Sequence, residues 1–89
     1  MRIEFSEHFW KRFEERKEKA PVEITRELVM ETVEMPDLVL PDPYNRSREW
    51  RIKKIKGYCL KVIVEVMSDK ILAITLFFDR RLRRQGLCG

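Results

Sequence analysis

The stretch that decides the fold is RSREWRIKKIKGYCLKVIVEV, residues 46–66, because it contains two β-strand patterns joined by Lys56-Gly57. Its first half holds six Lys or Arg side chains against one Glu, whereas its second half is mostly apolar. A dipeptide ending in Gly between two such runs is typical of a tight hairpin, in which Gly supplies a positive φ. The sequence therefore predicts a β-hairpin with strands over about 48–55 and 58–67.

Alternation along these two strands predicts which face of the sheet each side chain occupies. In 58–67 the even positions form an unbroken apolar face, which predicts contact with helices and makes Tyr58 a core residue. In 48–55 Trp50 and Ile52 share the even parity, which predicts that Arg51 and Lys53 lie on the opposite face. Ile55 breaks the alternation and indicates a bulge.

A third strand is predicted over 71–78, after a turn at Ser68-Asp69. It is apolar at both parities, as expected for a strand that is covered on each side. Two short helices cannot easily cover both faces, so some apolar side chains are predicted to stay uncovered. This patch is predicted to bind a protein partner or a second copy of the chain; its members are Ile63, Met67, Ile71, Ala73 and Phe77.

The first half of the chain predicts two helices. Ser6 is a potential N-cap for a helix over about 7–19, and Phe5 can pack against Trp10. Thr25 is a potential N-cap for a second helix that ends before Pro36. The segment 37–44 contains two prolines and polar turn residues, which predicts a connector that pairs briefly at a sheet edge.

Length and composition predict one domain, 1–89, with a single core, since 44% of its 89 residues are hydrophobic and 38% are charged. No run of about 18 apolar residues is present, which predicts a cytoplasmic protein without membrane contact. Cys59 and Cys88 form no CxxC or Cys/His cluster, so they are predicted to be free thiols. Neither a metal nor a cofactor is predicted. The abundance of Glu, Lys and Arg is typical of proteins from hot environments.

Charge divides the chain into two unequal halves. Residues 1–45 carry seven Lys and Arg against eleven Asp and Glu, whereas residues 46–89 carry twelve against four. A basic half indicates a polyanion or an acidic partner. The alternative is a surface in which acidic helices neutralise basic strands. Four Arg residues lie in 79–89, which is predicted to be a basic tail near the hairpin.

The first helix carries His8, Arg12 and Arg16 at steps of four, which places them on one side of the helix beside its apolar stripe. One interpretation is structural: the two Arg side chains extend along the core and pair with Glu7 or Glu15. The other is functional, with imidazole as proton donor or acceptor beside two phosphate-binding guanidinium groups.

Four segments, in this order, resemble a widespread prokaryotic family of small domains of unknown function: HFWKRFEER, VEITRELVMETVEMPDLVLPD, GYCLKVIVEV and ILAITLFF. The family pattern is a His and two Arg at steps of four, an Ile-Ser/Thr helix start, a Pro-Asp loop, and a Gly-led strand before an Ile-Thr strand. The resemblance spans nearly the whole chain. This chain departs from the pattern at Phe9, where Ala is usual, and at Glu23, where Gly is usual.

That family is similar in layout to the BrnT and RelE/ParE toxins of type II toxin–antitoxin pairs. The resemblance implies a metal-independent endoribonuclease, in which a base takes the ribose 2′-hydroxyl proton and basic side chains stabilise the attacked phosphate. It carries His8, Arg12 and Arg16 over as catalytic residues, and it implies RNA, free or on the ribosome, and an antitoxin protein as partners. Charge and parity add five predicted RNA-binding residues: Arg51, Lys53, Lys61, Arg80 and Arg81.

Two other functions stay open. The chain could be a nucleic-acid-binding module without catalysis, or an interaction domain that homodimerises through the apolar patch. The absence of a helix-turn-helix, zinc-finger or RRM motif argues against sequence-specific binding. The predicted fold is a two-layer α+β domain in the order β-α-α-β-β-β, with two N-terminal helices on an antiparallel sheet of three to four strands and a RelE/BrnT-like layout.

Overall fold

The predicted hairpin lies at the centre of the structure, a computed structural model that describes residues 2–89. Its two strands, β3 (Arg48–Ile55) and β4 (Tyr58–Val66), pair antiparallel without interruption, from Arg48 opposite Glu65 to Ile55 opposite Tyr58. The turn between them has two residues with positive φ, 49° at Lys56 and 83° at Gly57. The prediction of a tight turn is therefore confirmed, and Lys56 shares the left-handed conformation with the glycine.

The hairpin belongs to a five-stranded sheet that is accompanied by three helices. In chain order the elements are β1 (Arg2–Phe5), α1 (Phe9–Lys19), α2 (Arg26–Glu34), β2 (Leu38–Pro41), β3 (Arg48–Ile55), β4 (Tyr58–Val66), β5 (Lys70–Phe78) and α3 (Arg80–Arg84). The strand order in the sheet is β1-β5-β4-β3-β2, and all neighbours are antiparallel except β1, which pairs in parallel with β5. The predicted α+β class is confirmed, whereas the predicted purely antiparallel sheet of three to four strands is wrong in detail.

The two longer helices begin in different ways. Thr25 caps α2 as predicted, since its hydroxyl oxygen accepts a hydrogen bond from the Leu28 backbone N–H at 3.1 Å. Ser6 does not cap α1, because its hydroxyl donates to the carbonyl of Ile74 at 2.9 Å and so joins the chain to β5. His8 occupies the N-cap position without a side-chain cap bond.

The main core lies between the sheet and the pair α1 and α2. The predicted contact of Phe5 with Trp10 is present, with ring centroids 4.7 Å apart. Burying this apolar area supplies most of the free energy that holds helices and sheet together. Of the even-numbered β4 residues, Leu60, Val62 and Val64 contribute as predicted, whereas Tyr58 is half-buried and Val66 is exposed. The buried members of this core are Phe9, Phe13, Ile24, Val29, Val33, Leu60, Val62, Val64, Ile71, Ala73 and Leu76.

The predicted faces of β3 are wrong. Because Ile55 pairs with Tyr58 across a two-residue turn, each even-numbered β3 residue lies opposite an odd-numbered β4 residue. Ile52 therefore lies opposite Lys61, on the sheet face away from α1 and α2. Arg51 and Lys53 lie on the helix side. The bulge predicted near Ile55 is absent from β3.

An irregularity lies instead between β4 and β5 and changes the parity of β5. Ile63 pairs with Thr75 but Val64 pairs with Ala73, so β5 has one extra residue at this point. Ala73, like Ile71, consequently packs in the main core. The predicted apolar patch is therefore divided between the two faces of the sheet.

The predicted basic tail is a folded part of the domain. After Asp79 the chain forms α3, and Leu82 packs against Ile52 in a second core on the other sheet face. Cys88 returns to this core and forms a disulfide with Cys59, with the two Cα atoms 5.1 Å apart. The prediction of free thiols is wrong, because a sequence separation of 29 residues leaves no local signal of the pairing.

The hairpin turn provides a paired test of backbone strain. Gly57→Ala places a Cβ at φ 83°, where nothing lies within 4 Å, so strain alone should lower the free energy of unfolding, by about 1–2 kcal/mol. Lys56→Gly relieves the same kind of strain at φ 49°, so it should lower the free energy of unfolding far less than Gly57→Ala does, or raise it. Urea unfolding of the two variants measures these changes, provided that the m-value stays constant. Equal destabilisation by the two variants would contradict the assigned turn.

Candidate nucleic-acid interface

Arg51 and Lys53, both predicted to bind RNA, contact the C-terminal end of α2. The Arg51 guanidinium donates to the Val33 carbonyl oxygen at 2.6 Å and to the Glu49 carboxylate at 2.7 and 2.9 Å. The Lys53 ammonium donates to the Met35 carbonyl at 3.2 Å. The final carbonyls of a helix have no partner within the helix, so these two cations each supply a donor at this end of α2.

Lys61, another predicted RNA-binding residue, is almost completely buried, with 4% of its side chain exposed. Its ammonium is 2.7 Å from a carboxylate oxygen of Asp79. The same nitrogen lies 3.6 Å from the ring centroid of Trp50 and 4.5 Å from that of Phe77. A cation enclosed by two rings and a carboxylate has no free face for a phosphate, and its place is structural.

Asp79 connects this ion pair to α3. Its second carboxylate oxygen accepts a hydrogen bond from the Leu82 backbone N–H at 2.9 Å, and its own N–H donates to the Cys59 carbonyl at 3.0 Å. Burial acts to raise the pKa of Asp79, but the hydrogen bonds from Lys61 and Leu82 and the charge of Lys61 outweigh it and lower that pKa. The carboxylate is therefore held in its charged form.

The predicted catalytic row, His8, Arg12 and Arg16, lies on the exposed side of α1. Together with Lys11 and Glu15 these residues line a shallow depression along the helix. Within residues 2–89 neither Arg12 nor Arg16 forms an ion pair, so the predicted pairing with Glu7 or Glu15 is absent. The Arg16 guanidinium instead lies 5.6 Å from the ring centroid of Phe77.

A larger groove lies between the C-terminal half of α1 and α3, and we call it the α1–α3 groove. Arg16 and Lys19 lie on its α1 side, and Arg80, Arg83 and Arg84 on its α3 side. None of these five cations is in an ion pair among residues 2–89. The lining contains only two carboxylates, Glu15 and Asp79, and the second is neutralised by Lys61.

Aromatic rings line the groove between these cations. Tyr58 and Phe78 pack edge to face with centroids 6.0 Å apart, and Phe77 lies beside them in the lining. The Arg83 guanidinium is 4.0 Å from the Tyr58 ring centroid. Cation–π contact holds a guanidinium group over an aromatic face, and the uncharged ring does not neutralise it. The groove therefore combines unpaired positive charge with flat apolar surfaces.

Sequence reasoning found only part of this groove. Arg16 and Arg80 were predicted site residues and line it, whereas Arg81 is exposed on α3 but outside the lining. Lys19, Arg83 and Arg84 were missed as individual residues. The signal for Arg83 and Arg84 was the count of four Arg in 79–89, which indicated positive charge but not the helix that orients it. Lys19 had no such signal. Tyr58 was predicted to be core, and it is half-buried at the edge of the groove.

No family model, curated protein or solved structure matches this chain. Within residues 2–89 no helix is long and apolar enough to cross a membrane. The same part of the chain holds no group of three or more His, Cys, Asp or Glu side chains that could bind a metal ion. The groove's own chemistry is therefore the basis for assigning a function.

The buried ion pair should make stability depend on pH. The pKa of Asp79 is lowered below its ordinary 3.8, so the folded state loses this stabilisation as the pH falls through the lowered pKa. The free energy of unfolding should decrease as the pH falls below 3.8 toward the lowered pKa, and less steeply in a Lys61→Met/Asp79→Asn double variant. Urea unfolding at each pH measures this difference.

The single variant Asp79→Asn tests the Lys61–Asp79 ion pair at neutral pH, apart from the other groups that titrate in acid. Asp79→Asn alone leaves Lys61 buried without its partner, which should cost about 3–5 kcal/mol at neutral pH, more than the double variant. Equal stability of the single and double variants would show that the ion pair is not held as described.

Proposed function

We propose that this protein binds RNA through its phosphate backbone in the α1–α3 groove. The observation that carries the proposal is the convergence of five cations without ion-pair partners around an aromatic lining: Arg16, Lys19, Arg80, Arg83 and Arg84. Cations that line one groove without anionic partners repel one another, so a bound anion reduces that repulsion and gains charge-assisted hydrogen bonds.

The type of anion follows from the rings. Phosphate alone needs only the cations, whereas Tyr58, Phe77 and Phe78 add flat surfaces beside them. Bases of single-stranded nucleic acids stack on such rings and on Arg planes, and each stacked base contributes about 1–3 kcal/mol. The Arg83 guanidinium over Tyr58 combines both kinds of surface. These features favour an unpaired strand over a duplex.

The groove lining has an excess of positive charge because the buried ion pair neutralises one of its two carboxylates. Asp79 lines the groove, but Lys61 at 2.7 Å neutralises it. Glu15 is then the remaining carboxylate in the lining against five cations. The excess positive charge attracts a polyanion by releasing its counterions, a contribution that does not depend on base sequence.

RNA cleavage is a second proposal, and it rests on one geometric observation. Glu15 and Arg16 line both the α1–α3 groove and the depression that contains His8, so the two hollows are adjacent on α1. At about 1.5 Å per helical residue, His8 lies roughly 12 Å along α1 from Arg16. A strand in the groove can therefore extend past the imidazole.

The chemistry of this second proposal requires no metal. His8 takes the proton of a ribose 2′-hydroxyl, the 2′-oxygen attacks the adjacent phosphorus, and the bond from phosphorus to the 5′-oxygen of the next nucleotide breaks. The departing 5′-oxygen takes a proton from water, and His8 returns its proton to the solvent. Arg12 and Arg16 stabilise the added negative charge on the phosphate oxygens. A RelE- or BrnT-like toxin with an antitoxin partner, as the sequence resemblance implies, would use this reaction.

Salt dependence tests the binding proposal. Arg83→Ala/Arg84→Ala removes two groove cations, so affinity for a dye-labelled single-stranded RNA should fall about 10- to 100-fold. The slope of log K against log salt concentration should flatten by about 0.7 for each phosphate that the variant no longer neutralises. Fluorescence anisotropy over a salt series measures both quantities.

Arg81→Ala is the matched control for the single variant Arg83→Ala, because each removes one positive charge from α3 and only Arg83 lies in the groove lining. It also tests the prediction, made from charge alone, that Arg81 binds RNA. An equal loss of affinity in Arg81→Ala and in Arg83→Ala would show general attraction to α3 and contradict a defined groove.

Cleavage is tested separately in EDTA. The native protein should cut a single-stranded RNA to products with 2′,3′-cyclic phosphate ends, and His8→Ala should lower the rate by about 10²–10⁴-fold while leaving affinity within about twofold. Glu14→Ala, also exposed on α1 but outside both hollows, is the control. Unchanged cleavage by His8→Ala would remove the imidazole from the mechanism.

A further inference from the structure

One wall of the α1–α3 groove is held in place by the disulfide. Arg80, Arg83 and Arg84, three of the five groove cations, lie on α3, a helix of only five residues. A helix this short is not stable by itself in water, so its position depends on what anchors its two ends. Those anchors therefore determine whether the groove is formed.

The anchor before α3 is Asp79, which is bonded to Lys61 and to the backbone of Cys59. The anchor after α3 is Cys88, which is bonded through sulfur to Cys59 on β4. Both anchors thus connect α3 to neighbouring positions of one strand. Between them, Leu82 is the buried apolar side chain of the helix.

Without the disulfide, the segment after Asp79 loses its covalent link to β4. Besides Cys88 itself, Leu82 and the partly buried Leu87 are then its apolar contacts with the second core, and Arg83 keeps its cation–π contact with Tyr58. We infer that the oxidation state of Cys59 and Cys88 controls polyanion binding in the α1–α3 groove, with the disulfide form as the binding-competent state. This inference rests on the proposed RNA binding.

The redox step is ordinary thiol–disulfide exchange with a dithiol reductant. A thiolate of the reductant attacks one sulfur of the bridge, forms a mixed disulfide and releases one protein thiolate. The second reductant thiol then attacks the mixed disulfide and releases the other. The protein gains two electrons and two protons, and the reductant leaves as its own disulfide.

Burial of the bridge couples this exchange to ligand binding. Cys59 and Cys88 are 1% and 3% exposed, so a reductant reaches them only when the segment around α3 opens. RNA that contacts the α3 cations favours the closed state. Because such coupling is reciprocal, the disulfide should strengthen RNA binding and RNA should shift the thiol–disulfide equilibrium toward the disulfide. RNA should also slow reduction, because fewer molecules are in the open state that the reductant attacks.

The first experiment compares oxidised and dithiothreitol-reduced protein at one salt concentration. A dye-labelled polyuridine should bind about tenfold more weakly to the reduced form, which is within the usual range of coupling between two sites. Cys59→Ser/Cys88→Ser should bind like the reduced protein and should not respond to reductant. Far-UV circular dichroism verifies that each form is folded.

Amide hydrogen exchange provides a readout that needs no RNA. On reduction, exchange in 80–88 should accelerate while exchange in α1 stays unchanged, and polyuridine should slow the reduction of the oxidised protein. Equal affinity of the two redox forms would overturn this inference and leave the proposed RNA binding intact. Absence of binding in both forms would overturn the proposed function, and with it the redox control of that function.

Discussion

The ion pair between Lys61 and Asp79 is the interaction on which the second half of this structure depends. It places a charge inside the sheet face that α3 covers, between the rings of Trp50 and Phe77, where an unpaired charge would be costly. The pair is satisfied only when Asp79 sits at the start of α3, since the same carboxylate caps that helix. One contact thus sets the direction of the chain after β5, and the basic residues that follow are oriented by it.

The same interaction explains how a small sheet has a core on one face and a basic groove at its margin. The apolar side chains of Leu60, Val62 and Val64 on β4 are covered by α1 and α2. On the other face, α3 and the disulfide form a smaller core around Ile52. The groove lies where the two layers meet at one end of the sheet, between α1 and α3, so neither layer alone contains it. Its positive charge is unpaired because the nearby carboxylate is already bound to Lys61.

Parts of the site were readable from the sequence because they depend on local spacing. His8, Arg12 and Arg16 had to share a helix side, and four Arg residues near the C-terminus had to make that region basic. Arg51 and Lys53 were placed on the wrong face because parity within one strand does not reveal the register of its partner. Ala73 was misplaced for a related reason, since one extra residue in β5 exchanges the faces beyond it. Register is a property of two chain segments, and a one-residue shift reverses every side chain.

Local sequence patterns were sufficient to predict the α+β class, the Lys56-Gly57 turn, the Thr25 cap and the buried apolar residues of β4, because each follows from propensities and periodicities within short segments. Three features depend instead on how the folded chain brings segments together: β1 pairs in parallel with β5, Cys59 bonds to Cys88, and the basic C-terminal segment forms a wall of the groove. These outcomes join residues far apart in the chain. Their free energy comes from contacts that form only after folding has brought the segments together, so no local pattern records them.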